Sequence, residues 1–131
     1  MWNQNNMLQS IFMMEVYYIN FEKDETKICD IDFYRKLPSI NDIGEEFWGS
    51  TRLKLPEEYE LGSPIDAITN AFNLGGIVFG LLGGEMDRSF AKWDASGELY
   101  EVAAKAVEED RNKRYTTVKE FYDAWKFALN Q

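Results

Sequence analysis

The sequence predicts a mainly α fold opened by an N-terminal β-hairpin, and three observations carry that prediction. The stretch from Ser63 to Gly84, SPIDAITNAFNLGGIVFGLLGG, holds no charge after Asp66, in a chain that is 28% charged overall. Two later segments place apolar residues at helical spacing behind good caps. Ahead of them, two runs rich in aromatic and β-branched residues flank the polar break EKDETK.

The hairpin comes first. Ile11 to Phe21 reads as one strand and ICDIDFY, beginning at Ile28, as the second. Side chains alternate along a strand, so Cys29, Ile31 and Phe33 share one face while Ile28, Asp30 and Asp32 share the other. Residues 1–10 are amide-rich and are expected to form a loose N-terminal segment ahead of one domain spanning 11–131. Residues 35–62 lack a clean period and carry Pro38, Gly44, Gly49, Pro56 and Gly62, which predicts a long loop with a short helix after Pro56.

Ser63 is the expected N-cap of the central helix and Pro64 its first residue, with Asp66 favouring the positive end of the dipole. Ile65, Ile68, Phe72, Phe79 and Leu82 fall on one face, and Ala67, Ala71, Leu74, Val78 and Leu81 on another. A helix apolar around most of its circumference is expected to be buried. A membrane span is the rival, but Thr69, Asn70, Asn73 and five glycines dilute a run barely long enough to cross a bilayer. Those glycines lack the order and the lysine of a phosphate loop, so helix packing and helix termination at Gly83-Gly84 explain them better. A short helix is expected near Ser89 to Trp93. Ser96 should start the next one, running to about Glu109 on Leu99, Val102, Ala103, Ala106 and Val107, and Thr116 or Thr117 should cap the last, with Val118, Phe121, Trp125 and Leu129 as its stripe.

Composition narrows function by exclusion. Fourteen basic against twenty-three acidic residues give a net charge of −9, which repels phosphate backbones and excludes nucleic acid as an expected partner. The single cysteine, Cys29, permits no internal disulfide framework, and the absence of histidine removes any imidazole base. With an N-terminus unlike a signal peptide, the expected compartment is the cytoplasm and no membrane is expected as a partner. Lys105, Arg111, Lys113 and Arg114 form a basic cluster offset by Glu108, Glu109 and Asp110, read as a solvated face apart from Arg114.

Three signals in this order resemble the C-terminal lobe of the protein kinase fold, in particular the bacterial serine/threonine-kinase-like proteins. ICDIDFY is similar to that family's strand and metal-binding turn, with Asp32-Phe33-Tyr34 at the Asp-Phe-Gly position. WGSTRLKLPEE, from Trp48 to Glu58, is similar to the end of the activation segment, Leu55-Pro56-Glu57 standing for Ala-Pro-Glu. Asp110-Arg111-Asn112-Lys113-Arg114 is similar to the Asp-Pro-x-x-Arg motif between the last two helices. The resemblance covers roughly residues 11 to 129 and implies a protein kinase-like C-lobe.

The resemblance implies ATP-dependent phosphoryl transfer to a protein hydroxyl, with Asp32 as the Mg2+ ligand for bound ATP and residues 49–57 positioning the substrate. It also implies a buried pair between Glu57 and Arg114, and it sets Asn70 where the family has an aspartate bonded to the catalytic-loop backbone. The departures are as specific. No Gly-rich loop or strand lysine is present, and the segment from Ser10 to Val16, where spacing from Asp32 puts the catalytic loop, has neither aspartate nor asparagine. Tyr34 replaces the glycine of the metal-binding turn, and a single carboxylate holds magnesium poorly. The expectation is therefore a chain that keeps the scaffold and not the chemistry. The rival is a non-enzymatic, pseudokinase-like interaction module whose partner is another protein, a second copy or a missing lobe.

Overall fold

The computed structural model describes residues 16–20, 22–29, 38–46, 55–84 and 87–131. In chain order these form an antiparallel hairpin, β1 (Val16–Asn20) and β2 (Glu25–Cys29), a two-residue pair β3 (Ser39–Ile40) and β4 (Pro64–Ile65), and helices α1 (Ala67–Leu82), α2 (Gly97–Ala106) and α3 (Val118–Ala128). The fold is mainly helical and a small hairpin precedes the helices, as the sequence predicts.

The hairpin closes earlier than its composition indicates. Asn20 pairs with Glu25 and Val16 with Cys29, so β2 begins inside the polar break, three residues before Ile28. Asn20 Oδ1 accepts from the backbone of Glu22 (3.1 Å) and Lys23 (3.2 Å), and Asp24 takes a left-handed conformation, φ 52°. Turn chemistry at Asn20 and Asp24 therefore sets the register, and charged residues occupy the start of the strand.

The start of α1 also differs from expectation. Ser63 hydrogen-bonds Glu60 and Pro64–Ile65 pairs with Ser39–Ile40, so the extended chain runs on to Asp66, which is the true cap. Asp66 accepts from the Ile68 amide at 2.9 Å, and Thr69 accepts from the Asp66 amide at 3.2 Å. A local cap at Ser63 loses to a non-local strand pairing that buries Ile65 completely.

α1 packs against both α2 and α3, and α2 against α3. Phe72, Phe79, Trp93, Leu99, Ala103, Val107 and Ala128 form the main cluster together with Leu55 from the preceding loop. Ala71, Ala106, Tyr115 and Phe121 form a second cluster beside it. A Cβ on Gly75 would lie 2.7 Å from Ala106 Cβ and 2.9 Å from Val107 Cγ1, so this glycine lets α1 and α2 approach closely. At the other end Gly83 is the C-cap, and a Cβ there would lie 2.6 Å from the Phe79 carbonyl.

Three expected details of the helices are corrected. α1 is not buried all round, because Leu81 is 70% exposed near its C-terminus. α2 stops at Ala106 rather than near Glu109, and the carbonyls of Glu108 and Glu109 beyond its end are taken by Arg114 instead of helical amides. In α3 the buried residues are Phe121 and Ala128, whereas Val118 and Leu129 are exposed. Among the described residues no helix is long and apolar enough to cross a membrane.

Candidate functional site

The described chemistry converges on Glu57. Pro56 opens a short 3-10 turn, Pro56–Glu58, and Glu58 Oε2 accepts the Leu55 amide at 2.7 Å, which fixes the turn from behind. Leu55 is wholly buried in the helical core, so the segment leading to Glu57 is anchored by an apolar side chain. Asn41, also fully buried, supports the turn from the other side. Its Nδ2 donates to the carbonyls of Gly44 (3.1 Å) and Glu57 (3.4 Å), while its Oδ1 accepts from the amides of Ile43 (3.1 Å) and Gly44 (2.8 Å).

Glu57 Oε1 accepts from Arg114 Nη1 at 2.7 Å and from Arg111 Nη1 at 3.2 Å, contacts that span 57 and 54 positions of sequence. Each nitrogen of the Arg114 guanidinium has a partner, since its Nε donates to the Glu108 carbonyl at 2.6 Å and its Nη2 to the Glu109 carbonyl at 3.1 Å. Arg111 Nη2 pairs in turn with Asp66, the cap of α1. Two guanidiniums and two carboxylates thus join the Leu55-Pro56-Glu57 segment, the start of α1 and the turn between α2 and α3. Inside a protein such groups stay charged only when paired and hydrogen-bonded, and here each strongly buried member is both.

Phe72 supplies the apolar floor. Arg114 Cζ lies 4.6 Å from its ring centroid and Arg88 Cζ 5.2 Å. Partial burial, then the neighbouring charge of Arg114, holds the Arg88 guanidinium below the usual arginine pKa, and Glu109 opposes this. The basic cluster is therefore not a solvated face throughout. Arg111 is engaged twice, and Lys105 Nζ sits 4.5 Å over the ring of Tyr115, whose phenol burial pushes up.

The structure brings Glu57 and Arg114 together. It places Asn70 on α1, 2% exposed, with its Oδ1 lacking a hydrogen-bond partner among the described residues; Asn73 Nδ2, one turn on, is in the same position. Asp32 and its neighbours Asp30, Phe33 and Tyr34 lie outside the described residues, as do Gly49 and Ser50. Among the described residues no group of three or more His, Cys, Asp or Glu side chains is arranged to hold a metal ion. Sequence reasoning missed Asn41 and the second role of Arg111. An asparagine three residues before a glycine was the one local sign of the first.

Comparison with known proteins returns no relative: no family model, no curated protein and no solved structure matches the chain.

Proposed function

We propose that this chain is a protein kinase-like C-lobe that keeps the family's internal scaffold and serves as a non-enzymatic, pseudokinase-like interaction module. The observation that supports it is the buried Glu57–Arg114 pair, 2.7 Å apart across 57 positions, linking the two segments that resemble Ala-Pro-Glu and Asp-Pro-x-x-Arg. Phosphoryl transfer depends on positioning by several groups acting together, and loss of several removes nearly all of it. In this sequence Asp32 alone has a counterpart in that set, and one carboxylate is a poor match for magnesium without further oxygen ligands.

The experiment is twofold. ATP with magnesium should leave the apparent melting temperature unchanged, since only a ligand that binds the native state raises it. Labelled ATP and a generic protein substrate should give no product above a heat-killed control. Labelling that disappears in Asp32→Ala would overturn the reading and return the chain to the active kinases.

A further inference from the structure

We draw no further inference here: the strongest candidate, the exposed apolar face of α3 carrying Val118, Tyr122 and Leu129, is unpartnered among the described residues and nothing in the structure shows what covers it.

Discussion

Two ion pairs in this molecule each set a cation against a carboxylate, in opposite surroundings. Arg114 and Glu57 have side chains 0% and 7% exposed, while Lys119 and Asp123 are 80% and 55% exposed on the outer side of α3. The first joins segments 57 positions apart, lies against the Phe72 ring and is tied to two backbone carbonyls. The second spans one helical turn and faces water. Burial, and not the ionic contact itself, decides what each contributes: a desolvated charge is costly once its partner goes, whereas an exposed one returns to solvent.

The largest expected effect is therefore at the buried pair. Arg114→Ala leaves the Glu57 carboxylate and the carbonyls of Glu108 and Glu109 without their main donor, and should lower the unfolding free energy by about 3–5 kcal/mol in urea titration. A loss no greater than about 1 kcal/mol would put this pair in the same class as the surface one. Phe72→Ala should cost a similar amount, roughly 3–5 kcal/mol, because it opens the floor under Arg114 as well as the core.

Arg111 offers an intermediate case, since its side chain is 25% exposed and bridges Glu57 to Asp66. Removing it should cost about 1–2 kcal/mol, with part of the loss appearing as fraying at the start of α1, visible by amide exchange at Ile68. Lys119→Ala, at the exposed extreme, should change stability by less than about 0.5 kcal/mol, and that small effect should shrink further with salt.

A pH test extends the comparison to a second exposed charge. The Thr116 amide and hydroxyl, in that order, hold the Glu120 carboxyl below the ordinary glutamate value of 4.5 by hydrogen bonds. A carboxyl whose folded pKa is depressed adds stability above its unfolded pKa and loses it as pH falls through the folded value. Glu120→Gln should accordingly be slightly less stable than wild type at neutral pH and equal to it in acid. A difference that persists below the folded pKa would point to packing rather than charge.

Much of the helical part was legible because its signals are local. Ser96 caps α2 through the Leu99 amide and Thr117 caps α3 through the Glu120 amide, and both lie just ahead of an apolar stripe. The start of α1 was not legible, since Ser63 and Asp66 are equally good caps and only the pairing of Ile65 with Ser39 decides between them. The start of β2 was hidden for a related reason: Glu25 and Thr26 look like a linker until the Asn20 turn fixes the register. At the site, Glu57 and Arg114 came from motif resemblance. Nothing in the spacing separates Arg111 from its solvated neighbours, because its role depends on Asp66, which is 45 positions away. Asn41 is invisible for the same cause, its carbonyl partner at Glu57 being supplied by chain folding and not by sequence neighbours.

The central claim is that the buried Glu57–Arg114 contact binds the segment before α1 to the turn between α2 and α3. A double-mutant cycle of Glu57→Gln and Arg114→Ala, run by urea unfolding beside a matched cycle of Asp123→Asn and Lys119→Ala, tests it most directly. The buried cycle should give a coupling energy of about 2–3 kcal/mol and the surface cycle less than about 0.5. Coupling below about 0.5 kcal/mol in both cycles would contradict the claim, because the two buried side chains would then act independently.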